Sequence, residues 1–357
     1  MVIEMSFKNP IHFLKKANKC FNLYLKDYDK IDNFISRYDA DQEKFNEFFE
    51  TKSGTDNDLI AKLDRFDDWY SKKKYYFFNG EEHLFKSMDT DTFFKMCYNN
   101  NINLLAFSSS ENKILLETKD GIKFFTNNRF WTIDSVFARN EYAVPHLYMF
   151  KDFVVFDIGM NRGYASLNFA NFDTCSAVYG FEIDSHTYNL ALENFKLNPK
   201  INPKINPFNF GLFDKDDEID LFYIPGYDGI TTTNTEFAKT QSEWVSKKEL
   251  MESKKAQVKE AGKIISNIID NDNIKSNIVL KIDTEGAESK IMDSLIKQGL
   301  MEKIDLIIGE IHLETEDLES KLTGFKRIYK TQTNENIYNL CMVKEKYYNA
   351  WNEAKTI

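Results

Sequence analysis

The sequence predicts an α/β protein: a mostly parallel sheet covered by helices on both sides, with a helical region ahead of it. Two observations carry this. From about residue 152, short apolar runs alternate with segments of helical periodicity. The first of those runs ends in a turn rich in small residues, Asp157-Ile158-Gly159-Met160-Asn161-Arg162-Gly163, before another helical pattern.

Residues 1–105 read as helical. Leu59, Leu63, Phe66 and Tyr70 fall on one helix face, behind capping residues in the stretch Thr55 to Asp58. Ile11, Leu14, Phe21 and Leu25 mark an earlier helix, and Phe45, Phe48 and Phe49 another. Aromatic residues are dense here, as at Tyr75 to Phe78. They suit packing between helices, or a surface through which the chain forms a homo-oligomer or meets a partner.

Residues 106–150 change texture. Lys113 to Glu117 and Ile122 to Thr126 flank Asp120-Gly121, a strong hairpin signal. An approach segment follows, with Tyr142-Ala143-Val144-Pro145-His146 lying against the site expected further on.

Residues 151–357 carry the sheet. Its expected strands are Phe153 to Ile158, Ala177 to Ile183, Pro207 to Leu212, Ile278 to Ile282 and Ile304 to Ile311. Tyr188, Ala191, Leu192 and Phe195 form one helix face between the second and third, and Ala287, Ile291 and Leu295 form another after the fourth. Phe325 to Thr331 and Ile337 to Lys344, around a polar turn, predict a closing antiparallel hairpin. Residues from about 226 to 256 break the alternation: a Gly- and Thr-rich polar stretch and then a charged, helix-like segment. Such an insertion suits a substrate loop or a plain solvent loop.

The bulk properties narrow the function. With 357 residues the chain can bury a sizeable core. Its net charge of -10 provides no broad field for phosphate backbones, so nucleic acid is not an expected partner. No run approaches the ~20 apolar residues that span a bilayer, and nothing marks export. Cys20, Cys97, Cys175 and Cys341 lack metal or redox spacing, and they read as reduced thiols of a cytoplasmic protein. Cys175 and Cys341 are expected to pack as small apolar residues.

The turn after the first strand follows the logic of nucleotide sites. Gly159, Asn161 and Gly163 allow close approach of a ligand, and Tyr164 opens a helix whose free N–H groups face it. Glu182, about 20 residues on at the next strand end, can accept both ribose hydroxyls. A dinucleotide turn usually places three glycines around a pyrophosphate. Here Asp157 would repel that group, whereas an acid suits a sulfonium and an amino group. The pattern therefore favours S-adenosyl-L-methionine over a nicotinamide cofactor.

At this point the chain resembles the FkbM family of S-adenosyl-L-methionine-dependent methyltransferases. The residues that carry the resemblance are Val155 to Tyr164, Val178 to Glu182, Asn194 with Leu197-Asn198, Lys281-Ile282-Asp283-Thr284-Glu285-Gly286-Ala287-Glu288, and Ile308 to His312. It spans roughly residues 130 to 345, not the first hundred. Met160 stands where the family often has Ala, and Ile183 where it often has Pro. Both leave the binding side chains in place.

The resemblance implies a seven-strand, doubly wound, Rossmann-like methyltransferase sheet, with Ile337 to Lys344 as an antiparallel last strand. It implies that Asp157, Gly159 and Gly163 line the methionine end of the cofactor and that Glu182 holds the ribose. Asn209, Gly211 and Leu212 would border the adenine, and Asp283 would stand near the transferring methyl. Asn161, Tyr164 and Ile183 complete the expected cofactor set. Family members mostly methylate hydroxyls, which implies an O-methyltransferase for a sugar, glycan precursor or related small metabolite.

An alcohol acceptor must lose a proton, so a base is useful. The expected catalytic set is His312 as base, Glu310 orienting it or binding the acceptor, and Asp283. Glu285 and Glu288 lie at a helix start, where they would also complement the helix dipole. His146 is a second base candidate or a structural residue. Asp283, Glu310 and His312 are of the ligand types used by Mg or Mn, but the sequence offers no spacing test and no metal is expected. The other readings are a catalytically inactive binding or scaffold protein on the same fold, and a nicotinamide-dependent oxidoreductase. Asp157 and the missing third glycine argue against the latter.

Overall fold

The computed structural model describes residues 100–108, 113–126, 131–225, 231–234, 248–312, 318–335 and 337–355, together with Phe93, Met96 and Cys97. The helices expected before about residue 100 lie outside the described residues. Contacts divide the chain into two compact units, residues 1–99 and 100–357, and the strands and helices named here belong to the second.

The expected hairpin forms as β2 (Lys113–Glu117) and β3 (Lys123–Thr126), with Gly121 at φ 82° in its turn. A strand not read from the sequence, β1 (Asn103–Ser108), pairs antiparallel with β2. Leu104 there is buried while Leu105 is exposed, an alternation that belongs to a half-buried strand.

The main sheet comprises β4 (Phe153–Ile158), β5 (Cys175–Phe181), β6 (Ile205–Phe208), β10 (Asn277–Ile282), β11 (Ile304–His312), β12 (Phe325–Asn334) and β13 (Ile337–Lys344). Their order across the sheet is β12-β13-β11-β10-β4-β5-β6. Every residue of β4 is buried, because this strand lies inside the sheet with both faces covered. β5, β6, β10 and β11 run parallel to their neighbours on that side, whereas β13 runs antiparallel between β11 and β12. The expected seven-strand sheet with an antiparallel last strand is thus the fold observed.

The helices that cover this sheet include α1 (Tyr164–Ala170), α2 (Ser185–Lys196), α3 (Ala261–Asn271) and α4 (Glu288–Lys297), with α5 (Glu345–Lys355) at the end. One core cluster joins Phe156, Leu280, Ile282 and Ile307 of the sheet to Ile265 of α3 and Ile291 and Leu295 of α4. Cys175 and Cys341 are buried as free thiols, as expected, and burial pushes Cys175 up to about 12. Among the described residues, no helix is long and apolar enough to cross a membrane.

Two expected elements differ. The run Pro207 to Leu212 splits: β6 ends at Phe208, and β7 (Gly211–Phe213) joins a second small sheet with β8 (Asp217–Tyr223) and β9 (Glu252–Glu260). The chain turns between them at Asn209, whose amide donates to the Glu182 carbonyl. The segment read as charged and helix-like up to 256 enters β9 at Glu252. Its lysines and glutamates mask a period of two in which Ala256 and Val258 point inward.

Candidate active site

The carboxyl ends of β4, β5, β10 and β11 converge on one cavity. Gly159, Asn161, Tyr164, Glu182, Ile183, Gly211, Leu212, Asp283 and Glu310 line it, so the sheet brings together most of the residues singled out from the sequence. Asp157, Gly163, Asn209 and His312 do not line it.

The loop after β4 is fixed by close contact. Gly159 has φ 79°, and a Cβ there would lie 1.8 Å from the Asp283 carbonyl oxygen, so any side chain would lift the loop off β10. Asn161 also takes a positive φ, of 51°, and its N–H donates to Glu182 Oε2 at 2.9 Å. The N–H of Asp184 donates to the other oxygen, Oε1, at 2.8 Å. Two backbone groups therefore orient the Glu182 carboxylate at the cavity edge. Ile183 packs beside Gly211, and Gly163 packs against Phe195 of α2.

Asp157 lies behind the cavity lining. It stands beside Lys281 in the β4–β10 register and is wholly buried. Lys281 Nζ lies 3.0 Å from Asp157 Oδ1 and donates to the Gly159 carbonyl at 2.6 Å, while Ser166 Oγ donates to Asp157 Oδ2 at 2.6 Å. Burial pulls the Lys281 ammonium down, but Asp157, Asp283 and Glu182 outweigh it and hold the group above its usual range. Asp157 thus ties the glycine loop to β10 through Lys281. The acids that line the cavity are instead Glu141, Glu182, Asp283, Glu285 and Glu310.

The far end of the cavity is acidic. Asp283, Glu285 and Glu310 line it, joined by Glu141 and Tyr142 of the approach segment and by Thr231 and Thr233 of the polar insertion. Tyr142 donates its hydroxyl to Asp283 Oδ2 at 3.0 Å. Burial, with Asp283 and Glu310 adding to it, pushes the Tyr142 hydroxyl well up, so it remains a donor. Burial likewise drives Glu285 up to about 8 and Glu310 up to about 7, each against the pull of His312.

His312 stands behind these carboxylates, 3 % exposed. Its Nδ1 is 3.0 Å from Glu288 Oε1, and its Nε2 is 3.7 Å from Glu285 Oε2 and 3.8 Å from Glu310 Oε2. Burial alone would lower the imidazole, but Glu285 and Glu288 hold it well above its usual range. Glu288 does more than complement a helix dipole. Burial would raise it, yet His312 and the N–H of Thr284 keep it low. It accepts from Thr284 N at 2.8 Å, Thr284 Oγ1 at 2.9 Å and Gly286 N at 3.2 Å.

His146 lies off the cavity, buried with its ring 5.0 Å from that of Trp351 in α5. Tyr142 and Glu141, four and five residues earlier, reach the cavity instead. The sequence pointed to the right segment, but it could not show which side chain turns inward.

A model of the methyltransferase FkbM domain matches residues 157–335. None of the curated proteins matches the chain. Several solved structures are similar to it. The methyltransferase FkbM from Methylobacillus flagellatus KT is 11% identical at a TM-score of 0.35, over 54% of this chain and 44% of that one. TrmK from M. capricolum, in complex with S-adenosyl-homocysteine, is 12% identical at 0.29, over 56% and 66%. An rRNA methylase from Streptococcus thermophilus is 10% identical at 0.32, over 56% and 93%.

Proposed function

Since the chain belongs to the methyltransferase FkbM domain family and S-adenosyl-L-methionine is its cofactor, we propose that it transfers the methyl group to a hydroxyl of a sugar, glycan precursor or related small metabolite. One observation carries this reading: a single cavity has a fixed carboxylate at one end and a cluster of acid groups, backed by the His312 imidazole, at the other.

The residues present fit the cofactor. Gly159 lines the cavity with its loop held close to Asp283, and would face the methionine end. Glu182, oriented by two backbone N–H groups, is the acceptor for the ribose hydroxyls in this reading. Ile183 and Leu212 offer apolar surface to an adenine. When bound, the cofactor supplies an electrophilic methyl on a good leaving group, and the chain's task is alignment and exclusion of water.

Asp283 lines the cavity and its backbone meets Gly159, so its charge suits the sulfonium side in this reading. Its orientation is held by the Tyr142 hydroxyl. Glu310 is on the cavity wall and receives the acceptor proton in this reading. His312, expected from the sequence to be the base itself, stands behind that wall and positions Glu310 and Glu285. Thr231 and Thr233 offer hydroxyls to a polyhydroxylated acceptor from the insertion.

Calorimetric titration of the chain with S-adenosyl-L-methionine and with its demethylated product tests the cofactor end. Saturable binding of both is expected, and no binding of either would sink the reading. Mass analysis after incubation with a panel of glycans and hydroxylated metabolites then tests the acceptor. A mass gain of one methylene unit on a hydroxyl oxygen is expected. Methylation solely at nitrogen would replace the O-methyl reading.

A further inference from the structure

We propose that Asp283, Glu285 and His312 bind a divalent cation of the Mn²⁺ kind at the acceptor end of the cavity. The three donors come from separate places: Asp283 follows β10, Glu285 lies in the turn before α4, and His312 ends β11. Parallel pairing of β10 with β11 puts the two strand ends side by side. One ligand atom from each residue lies within 4.8 Å of the other two. Small inward rotations would bring all three to the ~2.0–2.6 Å at which such cations bind oxygen donors.

Glu288 supplies an independent pointer. Its carboxylate already accepts N–H groups from Thr284 and Gly286, and it faces His312 Nδ1 at 3.0 Å. That fixes a hydrogen on Nδ1 and turns Nε2 towards Glu285 and Glu310. A carboxylate on the far ring nitrogen is the usual way to hold a metal-binding imidazole.

Charge points the same way. Asp283, Glu285 and Glu310 crowd one wall, while the Lys281 ammonium on that wall is engaged by Asp157 and the Gly159 carbonyl. The Glu141 carboxylate nearby is already paired with Arg139 at 2.5 Å. A cation in place of a proton on Nε2 would bind the crowded carboxylates together. Two carboxylates and one imidazole suit Mn²⁺ better than Mg²⁺, which prefers oxygen alone, and the cavity side leaves positions open.

Those open positions would take one or two neighbouring oxygens of the acceptor. A hydroxyl bound there loses its proton more readily, with Glu310 beside it to receive that proton. This use rests on the methyl-transfer reading; the binding of the cation does not.

The full chain, stripped with a chelator, is titrated with MnCl₂ while free Mn²⁺ is followed by electron paramagnetic resonance. One saturable site is expected, with nitrogen coupling from an imidazole in the pulsed spectrum of the bound ion. Asp283→Asn, Glu285→Gln and His312→Gln should each weaken it by about tenfold or more, and Glu288→Gln, which only positions His312, by ~10–100-fold. Asp220→Asn, on an exposed pair with Lys255, should leave it unchanged.

Circular dichroism checks that each variant folds; where one does not, the nitrogen coupling of the wild-type chain decides. No saturable binding, no nitrogen coupling, or equal affinity in the folded variants would overturn the proposal. Cation binding without binding of S-adenosyl-L-methionine would sink the methyl-transfer reading alone, and the reverse result the cation alone.

Discussion

Lys281 and Asp157 show what one residue pair does for the cofactor loop. Both are buried, so each needs the other: an isolated charge at this depth would be costly. Lys281→Met should therefore cost about 3–5 kcal/mol, because it leaves the Asp157 carboxylate buried and unpaired. The double variant Lys281→Met with Asp157→Asn should recover a large part of that loss. Urea unfolding of the wild type, Lys281→Met, Asp157→Asn and the double variant measures the difference. Equal destabilisation in the single and double variants would show that the pair is not the source. The sequence displayed both charges within the motif blocks but not their pairing. In β4 every residue is buried, so the alternation that separates inner from outer positions gives no hint of which way Asp157 points. Glu182 was legible because a strand end fixes its position relative to the turn. Tyr142 was not, since no periodic element carries it.

At the level of elements, apolar runs and turn residues located β4, β10, β11 and β13 to within a residue or so, because each is bounded by polar turns. β9 escaped notice because its outward side chains, Ser253, Lys255, Gln257 and Lys259, are all polar, and only Ala256 and Val258 are apolar on the inward face. The contact of α3 with α4 was also invisible in the sequence. Gly262 of α3 sits so near α4 that a Cβ would meet the Ser294 carbonyl oxygen at 2.6 Å, and its N–H donates to Ser294 Oγ at 3.0 Å. Gly262→Ala must push the helices apart. The overpacking should cost ~1–3 kcal/mol, against the ~1 kcal/mol at most that helix propensity alone would return. Thermal unfolding would show it as a lowered midpoint. An unchanged or raised midpoint would mean that the helices yield without cost. α4 begins at Glu288 beside the acceptor end, so the same variant would also disturb Glu285 and Glu288.

Across the whole molecule, the fold class followed from the succession of strands and helices, and the candidate site from the strand ends on one side of the sheet. The identity of the acceptor did not follow, because Thr231, Thr233, Glu141 and Tyr142 come from irregular segments whose inward side chains no periodicity reveals. The three-stranded sheet of β1, β2 and β3 is joined to the larger sheet's helices in a way that bears on self-association. On the outer side of β3, Lys123 N and O meet the Asn198 amide, Phe125 N meets Asn194 Oδ1, and Phe125 O accepts from Tyr164 Oη. Side chains of α1 and of α2 with the turn after it thus occupy the hydrogen-bonding groups that another chain's strand would seek at an open edge. Asn194→Ala with Asn198→Ala should uncover that edge and produce concentration-dependent association in light scattering. Unchanged scattering over the same concentrations would show that the helices screen the strand by bulk alone. Two asparagines thus do for β3 what a neighbouring strand would otherwise do.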